Sequence, residues 1–378
     1  MYILSIGRAF PEKSTGMIGI FEYEQAVALK KAGNKVIYAF SDNRSVKVIR
    51  TVKPYRNSKD GIEIYGRRLP IKGLPEGLFS KIKSAEFKKL VKTIIDENGV
   101  PDVIHIHFPL LTITSEIFGF LKTLGCKIVV TEHWTKVQKK ELSSRKKELL
   151  CELAEKVDAF ICVSSLLKKS VLELTGTKRN ILVIPNMVSD EFGYADSRET
   201  DSSSYKFISI SRLVPVKRFN IAIEGFTKAF KGNKDIKLTI VGDGKLYSSL
   251  KKQINSLGMS DQIIMTGFKK REEVAELLAE SDCYVSASIL ETFGVPFIEA
   301  WVTGLPCIGV KGGPIDELFN SENGYLFKSD DSDDLAEVMK KMYAEKERFN
   351  RKNISENAVS LFSSSSVAAR LLEVFENA

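Results

Sequence analysis

The chain is poor in the residues from which disulfide frameworks and most zinc sites are built. It has three histidines and five cysteines in 378 residues, and no cysteine pair has CxxC spacing. Single, scattered cysteines are typical of a reducing compartment and argue against disulfides or a thiolate zinc site. No apolar run approaches the 18 residues of a membrane span. The opening MYILSIGRAF lacks the basic region and cleavage site of a signal peptide. We therefore expect a cytoplasmic protein whose first residues form a strand.

The charge of the chain is uneven. Residues 1–190 carry 32 Lys and Arg against 20 Asp and Glu, a net charge of +12, whereas residues 191–378 carry 24 against 28, a net charge of −4. A basic half favours anionic partners, which include nucleic acid, an anionic membrane and phosphorylated small molecules. No aromatic-rich RNA motif or DNA-binding motif is present, so we expect no nucleic-acid partner. The asymmetry suggests two domains.

Short apolar segments alternate with helical patterns along both halves, which predicts an α/β fold with two Rossmann-like parallel sheets. We predict domains over residues 1–187 and 205–378, joined by a polar linker over 188–204. A last helix over about 355–378 is expected to pack back toward the first domain. Ligands bind at the carboxyl ends of parallel strands, so the chemistry is expected in a cleft between the domains. The predicted strands are Tyr2–Ile6, Lys35–Phe40, Ile62–Tyr65, Val103–His107, Ile128–Thr131, Ala159–Val163, Ile181–Ile184, Phe207–Ser211, Lys237–Val241, Ile263–Met265, Cys283–Ala287, Pro306–Val310 and Gly324–Phe327.

The segment ETFGVPFIEAWVTGLPCIG carries two carboxylates around the start of a predicted helix. Pro296 suits a first helical turn, and Gly304 marks the end of the helix. The free N–H groups at a helix start form a ready phosphate site. Glu299 lies about one turn into the helix, within reach of a ribose attached to a bound diphosphate, and Glu291 lies in the loop ahead. This pattern suggests a nucleotide-sugar site.

Two further loops follow predicted strands of the second half. In SRLVPVKRFN, Arg212 and Lys217 supply cations that suit a diphosphate, although a solvated basic loop would look the same. In IVGDGKL, Gly242, Asp243 and Gly244 follow a strand and precede a helix, but GDG is not a GxGxxG fingerprint. A tight strand-to-helix turn with Asp243 as the helix N-cap would explain the pattern as well as a ligand loop.

These motifs together carry a resemblance. SRLVPVK, IVGDG, the TGF of residues 266–268 and the E-x7-E pair occur in the order and at the separations of the retaining GT-B glycosyltransferases of family 4. STGMIGIFEYEQAVALKKAGNKV, DVIHIH, VVTEH and VIPNMV resemble that family's amino-terminal segments. The resemblance implies a GT-B fold, a nucleotide-diphosphate-sugar donor and no catalytic metal or other cofactor.

The resemblance also implies roles for individual residues. Arg212 and Lys217 would bind the donor diphosphate, Glu299 the ribose, and Glu291 the transferred sugar. Gly16 would let the first domain approach the diphosphate, although this chain has Thr15-Gly16 where many relatives have Gly-Gly. The implied catalytic residues are Glu291, His133, Arg212 and Lys217. The implied binding residues are Gly16, His107, Arg212, Lys217, Gly242, Phe268, Glu291, Phe293, Gly294, Val295 and Glu299.

All three histidines fall at or just beyond the carboxyl ends of predicted strands. His105 and His107 share a face because side chains alternate along a strand. His133 matches the family position that approaches the donor sugar, and His107 is expected near the cleft. For His105 we favour a packed, hydrogen-bonded core residue. A three-histidine zinc site is a weaker alternative.

Two charged segments have competing interpretations. In DDSDD (residues 330–334), capping of the following helix is favoured over a metal-binding DxD. Leu78–Ile95 is a basic amphipathic helix, which either packs on the sheet or faces an anionic membrane. In the second case the protein would be peripheral on the inner face of the cell membrane.

The sequence thus predicts a retaining glycosyltransferase that moves a sugar from a nucleotide-diphosphate-sugar donor to a hydroxyl acceptor. UDP is the expected nucleotide because it is the most frequent in the resembling family. A lipid-linked glycan of bacterial surface-polysaccharide assembly is the expected acceptor. One alternative is a GT-B relative such as a phosphorylase or a nucleotide-sugar epimerase, and an epimerase would turn over the donor in an acceptor-free assay. The other is a non-catalytic sugar-nucleotide sensor or scaffold.

Overall fold

The computed structural model describes residues 1–12, 18–45, 47–195, 204–313 and 315–378. The chain divides into two compact units, Met1–Met187 with Ser364–Ala378, and Val188–Ser363. The strands are β1 (Tyr2–Gly7), β2 (Lys35–Ser45), β3 (Lys53–Lys59), β4 (Ile62–Lys72), β5 (Val103–His107), β6 (Lys127–Glu132), β7 (Ala159–Cys162), β8 (Ile181–Val183), β9 (Tyr205–Ile210), β10 (Ile236–Val241), β11 (Ile263–Gly267), β12 (Cys283–Val285), β13 (Cys307–Val310) and β14 (Gly324–Phe327). The helices are α1 (Ile20–Lys31), α2 (Glu76–Asn98), α3 (Pro109–Thr112), α4 (Ser115–Lys122), α5 (Thr135–Gln138), α6 (Ser144–Lys156), α7 (Ser165–Thr175), α8 (Phe219–Phe230), α9 (Tyr247–Ser256), α10 (Arg271–Ala279), α11 (Val295–Val302), α12 (Ser332–Ala344), α13 (Arg351–Phe362) and α14 (Ser364–Asn377).

The first unit is built on an eight-stranded sheet in the order β3-β4-β2-β1-β5-β6-β7-β8. Every recorded strand pair is parallel except β3 with β4. Parallel strands covered on both faces carry nearly continuous apolar runs, and Ile3, Leu4 and Ile6 of β1 are fully buried. The predicted α/β class is therefore confirmed for this half.

Strand β3 was not predicted. Its sequence KPYRNSK is mostly exposed and lacks the alternation that indicates a half-buried strand. It forms a hairpin with β4 through a two-residue turn at Asp60 and Gly61, whose φ angles are 54° and 71°. Asp-Gly is a strong sequence signal for such a turn because both positions need positive φ.

The carboxyl-terminal segment, predicted as one helix, is two helices. The chain is extended at Ser363, with φ −61° and ψ 155°, so α13 belongs to the second unit and α14 to the first. Helix α14 buries Leu371 and Phe375 in the core of the first unit beside Ala26 and Leu29 of α1. Arg351–Asn377 is long and apolar enough to span a membrane by length and composition, a test that core helices also pass. We interpret it as two packing helices.

The second unit is built on a six-stranded sheet in the order β11-β10-β9-β12-β13-β14, with every recorded pair parallel. This sheet and the eight-stranded sheet of the first unit together confirm the predicted pair of Rossmann-like domains. The predicted linker begins with residues that are buried in the second unit. Val188 and Phe192 are buried, and the Val188 N–H donates to the Phe362 carbonyl at 2.8 Å.

Candidate active site

An ion pair joins two loops at the carboxyl edge of the second sheet. After β9 the chain makes a 3-10 turn over Pro215–Lys217, and the Lys217 ammonium contacts the Glu291 carboxylate from the loop after β12. The two side chains are only 13% and 18% exposed. The Ile289 N–H also donates to the Val216 carbonyl at 3.2 Å. Backbone and side chains therefore hold these loops together.

Arg212, the second predicted cation, lies in the same loop but differs in its surroundings. Its side chain is exposed. Within the described part of the chain, no ion pair to an Asp or Glu is recorded for it. Its charge is thus available to an anion, whereas that of Lys217 is already balanced by a carboxylate.

The next loop along the sheet follows β10 and contains Gly242. Its φ is 140°, and a Cβ at this position would lie 1.9 Å from the Ser211 carbonyl oxygen. The Gly242 N–H donates to the Gly267 carbonyl at 2.9 Å, and the Leu213 N–H donates to the Asp243 carbonyl at 2.9 Å. This turn therefore binds the ends of β9, β10 and β11 together.

The alternative role of Asp243 as a helix cap is wrong. Helix α9 begins at Tyr247 with Leu246 as its N-cap, and the Asp243 carboxylate instead accepts the N–H of Gly244 at 2.7 Å. Phe268, predicted to frame the base, directly follows β11 and is 72% exposed. An aromatic ring in that position offers a stacking surface beside the Gly242 turn.

Helix α11 forms where Pro296 and Gly304 predicted its start and its end. Gly294 is the N-cap in a left-handed conformation, with φ 98°, and Pro296 lies in the first turn. The first N–H groups of a helix have no partner within it, and Val295 opens this one. Glu299 is 9% exposed, one turn further on. Phe293 is buried, with its ring 6.0 Å from that of Phe362, so its side chain supports the loop and only its backbone can meet a ligand.

The buried Tyr284 of β12 lies within electrostatic range of both glutamates. This buried phenol has its pKa raised, chiefly by burial and then by the negative charges of Glu291 and Glu299. Taken with the contacts above, the second unit brings Phe268, the Gly242 turn, the Arg212 loop, the ion pair and the start of α11 along one edge. Cations, helix N–H groups and carboxylates therefore lie along the same edge of the sheet.

In the first unit the histidines form a buried cluster. His105 donates to or accepts from the Thr131 hydroxyl at 2.7 Å, and burial lowers its pKa to about 3. The prediction of a hydrogen-bonded core residue is confirmed. The rings of His105 and His107 are 4.1 Å apart, which confirms their shared face. His107 has no exposed surface, so in this structure it does not contact solvent.

The contact with His107 favours one tautomer of His133. The Nδ1 of His107 lies 3.3 Å from the Nε2 of His133, and burial lowers the pKa of both rings well below the usual value. The other nitrogen of His107, Nε2, has no partner among the described residues. Buried unpaired donors are rarer than buried unpaired acceptors. The geometry therefore favours donation from His107 Nδ1–H, which leaves the proton of neutral His133 on its Nδ1.

Sequence reasoning missed a stack over His133. The Phe108 ring lies 4.5 Å from that of His133 at an interplanar angle of 18°. The Arg8 guanidinium lies over the Phe108 ring, 3.4 Å from its centroid. Arg8 also pairs with buried Glu22 at 2.7 Å. Phe108 has φ 47°, a strained conformation for a bulky residue, which no sequence pattern signals.

Two family models match the chain. The model described as "Glycosyltransferase Family 4" matches residues 20–192, and that described as "Glycosyl transferases group 1" matches residues 194–360.

The chain belongs to glycosyltransferase family 4.

Individual relatives agree with this assignment. N-acetyl-alpha-D-glucosaminyl L-malate synthase of Bacillus anthracis is 26% identical over 342 residues, which are 86% of this chain and 84% of that protein. The amylovoran biosynthesis glycosyltransferase AmsK of Erwinia amylovora is 24% identical over 262 residues, 67% of this chain. The match spans 64% of AmsK. HepE of Anabaena, solved in complex with UDP, superposes with a TM-score of 0.76 at 17% identity over 100% of both chains. That likeness shows the GT-B fold.

Three further predictions for this family 4 glycosyltransferase concern Gly16, the acidic segment of residues 330–334 and a possible metal site. Gly16 lies outside the described residues. Asp331 caps α12 by accepting the N–H groups of Asp333 and Asp334 at 3.0 and 2.8 Å, which confirms the capping interpretation. Across residues 1–12, 18–45, 47–195, 204–313 and 315–378, no group of three or more His, Cys, Asp or Glu side chains is placed to hold a metal ion.

The basic side chains of the predicted helix Leu78–Ile95 are not all exposed. Lys83 is 2% exposed and donates to the Leu111 carbonyl at 2.6 Å. Lys146 of α6 donates to the neighbouring Leu110 carbonyl. The two lysines thus hold the end of α3, and burial lowers the pKa of Lys83 to about 7. The prediction that Lys83 lies on a lipid-facing surface is wrong, because its ammonium is buried and hydrogen-bonded to a carbonyl of α3.

Glu132 is a buried carboxyl group beneath the His133 turn. Its Oε1 accepts the N–H groups of His133 and Trp134 at 2.9 and 2.8 Å. Burial raises its pKa to about 7, although these bonds, Lys146 and Arg8 oppose the rise. At pH values between 4.5 and about 7, Glu132 is therefore mostly protonated in the folded protein and mostly ionised in the unfolded chain.

We expect Glu132→Gln to change how thermal stability depends on pH. Between the unfolded pKa of Glu132, about 4.5, and its folded pKa, about 7, wild-type stability falls as pH rises, by up to on the order of 3 kcal/mol. The variant lacks this titration. Its apparent Tm relative to wild type should therefore rise from pH 5 to pH 7.5 and then level off, as measured by calorimetry in a pH series.

The matched control is Glu148→Gln, an exposed position on α6. It should show no pH-dependent difference from wild type. A Glu132→Gln curve parallel to the wild-type curve from pH 5 to pH 7.5 would contradict the protonated state of Glu132.

Proposed function

We propose that this glycosyltransferase moves a sugar from a UDP-sugar to a hydroxyl acceptor with retention of anomeric configuration and without a metal ion. The observation that carries the proposal is the carboxyl edge of the second sheet. There Arg212, Lys217 and the start of α11 supply positive charge, and Glu291 and Glu299 supply hydrogen-bond acceptors for sugar hydroxyls. The UDP complex of the similar protein HepE supports the choice of nucleotide.

The chemistry follows from the charges at this edge. As the sugar–phosphate bond breaks, negative charge develops on the leaving diphosphate, and preorganised cations and N–H groups stabilise it. Glu291 holds the sugar and stabilises its developing positive charge. The departing phosphate oxygen takes the proton of the acceptor hydroxyl while that hydroxyl attacks the same face of the sugar. Such front-side attack retains configuration and requires no covalent intermediate on the enzyme.

The acceptor class is inferred from the relatives. AmsK is named as a glycosyltransferase of amylovoran biosynthesis, and we propose a lipid-linked glycan as the acceptor. The other relative is named for transfer to L-malate, so family membership alone allows small hydroxy acids. We favour the glycan acceptor of bacterial surface-polysaccharide assembly.

A thermal-shift screen tests the donor. UDP-glucose, UDP-galactose, UDP-N-acetylglucosamine, GDP-mannose and ADP-glucose are compared at equal concentration. A ligand at about 100 times its Kd adds about 2.7 kcal/mol of stability, which is roughly 5–10 °C for a unit of this size. We expect at least one UDP-sugar to give such a shift and the GDP- and ADP-sugars to give none.

The best donor then allows a test of the reaction itself. Proton NMR of the product formed in the presence of EDTA should show the anomeric coupling of the donor. Inverted coupling would overturn retention, and activity that disappears in EDTA and returns with Mg²⁺ would overturn metal independence. A shift with a GDP- or ADP-sugar alone would replace UDP, and no shift with any of the five would contradict the donor class.

A further inference from the structure

The ammonium of Lys217 has two rival partners at the proposed donor site. In this structure it contacts the carboxylate of Glu291, and neither side chain is more than 18% exposed. The proposed function requires the same ammonium to meet the diphosphate of the donor. Arg212, in contrast, has no recorded carboxylate partner among the described residues and can meet the diphosphate without breaking an ion pair.

The pair is preorganised. The Lys217 N–H donates to the Val214 carbonyl at 3.0 Å within the 3-10 turn, and the Ile289 N–H donates to the Val216 carbonyl at 3.2 Å. Two backbone bonds thus fix the residues from which the side chains extend. Both side chains are largely buried, so solvent and salt screen the pair less than an exposed one.

We propose that Glu291 competes with the diphosphate for Lys217, and that this competition lets the site discriminate an intact donor from the nucleoside diphosphate product. The inference rests on the proposed function. When a nucleotide sugar binds, Lys217 turns to the diphosphate and the sugar hydroxyls take its place at Glu291. When the free nucleoside diphosphate remains after transfer, nothing replaces Lys217 at the carboxylate.

The consequence is weaker binding of the nucleoside diphosphate product. Regeneration of the Lys217–Glu291 pair draws the ammonium away from the diphosphate once the sugar has left. The competing possibility is that the ammonium, with three N–H donors, contacts carboxylate and phosphate at once. In that case Glu291 would not weaken product binding.

A double-mutant cycle measured by isothermal titration calorimetry tests the competition. The probe is UDP, and the proteins are wild type, Glu291→Gln, Lys217→Met and the double variant. We expect Glu291→Gln to bind UDP about fivefold more tightly than wild type, the size expected for a good ion pair. In the Lys217→Met background the same substitution should change the Kd for UDP less than about twofold.

Titration with UDP-glucose and UDP-N-acetylglucosamine completes the test. The quantity compared is the Kd for UDP divided by the Kd for the tighter-binding UDP-sugar. Because Glu291→Gln also loses its contact with the sugar, this ratio should be at least about fivefold lower in the variant than in wild type. Glu337→Gln is the matched control, because Glu337 pairs with Lys340 on α12 and is exposed. Its Kd values should equal those of wild type.

Three outcomes would overturn the inference. An unchanged Kd for UDP in Glu291→Gln would show that Lys217 serves both partners. An equal gain in the Lys217→Met background would assign the effect to general charge repulsion. Absence of UDP binding to wild type would overturn the proposed nucleotide as well. Thermal unfolding checks that Glu291→Gln is folded, and Glu291→Ala serves as the second variant if it is not.

Discussion

Gly242→Ala is expected to lower the apparent Tm of the second unit by roughly 5–10 °C and to abolish detectable donor binding. The added Cβ would lie 1.9 Å from the carbonyl oxygen of Ser211, and the position has a φ of 140°. Backbone cannot yield as a flexible side chain can, so the ends of β9 and β10 must separate. Overpacking of this kind costs about 1–3 kcal/mol, and the backbone strain adds about 1–3 kcal/mol.

The loss of binding follows from what the Gly242 turn connects. It holds Gly267 beside it, and the adjacent Asp243 carbonyl accepts the N–H of Leu213, next to Arg212. If the turn opens, the loop that presents the cations moves relative to Phe268. Calorimetry and a UDP-sugar titration measure the two effects separately.

Gly258→Ala separates strain from collision. Gly258 also has a positive φ, of 69°, but no atom lies within 4 Å of the Cβ position. This control should therefore show only the conformational cost of a left-handed alanine, about 1–2 kcal/mol, and bind donor normally. If Gly242→Ala were as stable as Gly258→Ala, the close approach at the carbonyl of Ser211 would be contradicted.

The parts of the fold that were predicted correctly have a local cause. Strands of parallel sheets are apolar because they are covered on both faces, so β1, β5 and β9 are visible as short apolar runs. Helix α11 was visible because Pro296 suits a first helical turn and Gly304 suits the position after a helix end. Such signals lie within a few residues of the feature that they specify.

The parts that were missed depend on other segments of the chain. Strand β3 is exposed on most of its length, so its pairing with β4 left no hydrophobic pattern, although the Asp60-Gly61 turn did signal a hairpin. Lys83 had the spacing of a surface residue, and only the position of the Leu111 carbonyl shows why it is buried.

The candidate site shows the same division. The sequence indicated which residues have suitable chemistry, because Arg212, Lys217, Glu291 and Glu299 lie in recognisable loops. It did not indicate that Lys217 and Glu291, 74 positions apart, contact one another. Nor did it indicate the stack of Arg8 on Phe108, since that contact depends on the register of β1 with β5.

The double variant Arg212→Ala/Lys217→Ala is expected to lower kcat by about a thousandfold at saturating donor, and Lys217→Ala alone by at least about tenfold. Removal of one preorganised donor from a developing negative charge typically costs about 100- to 1,000-fold in kcat. The two cations act on one diphosphate, so their effects are not expected to multiply fully. Initial rates at several donor concentrations give kcat and KM for each variant.

The control removes two charges from the same unit at a distance from the proposed site. Lys228 and Lys234 are exposed and pair with Asp333 and Asp261 at 2.7 and 4.0 Å. Lys228→Ala/Lys234→Ala should keep kcat within about twofold of wild type, because exposed ion pairs contribute little. A similar loss in this control would assign the effect to net charge and not to position.

The division of the effect between kcat and KM identifies what the cations do. A cation that binds the ground state and the transition state equally raises KM when it is removed and leaves kcat unchanged. Charge on the leaving diphosphate increases as the sugar departs, so a cation that stabilises departure lowers kcat when it is removed. If the double variant raised only KM, Arg212 and Lys217 would be donor-binding residues without a part in bond cleavage, and the proposed mechanism would be wrong.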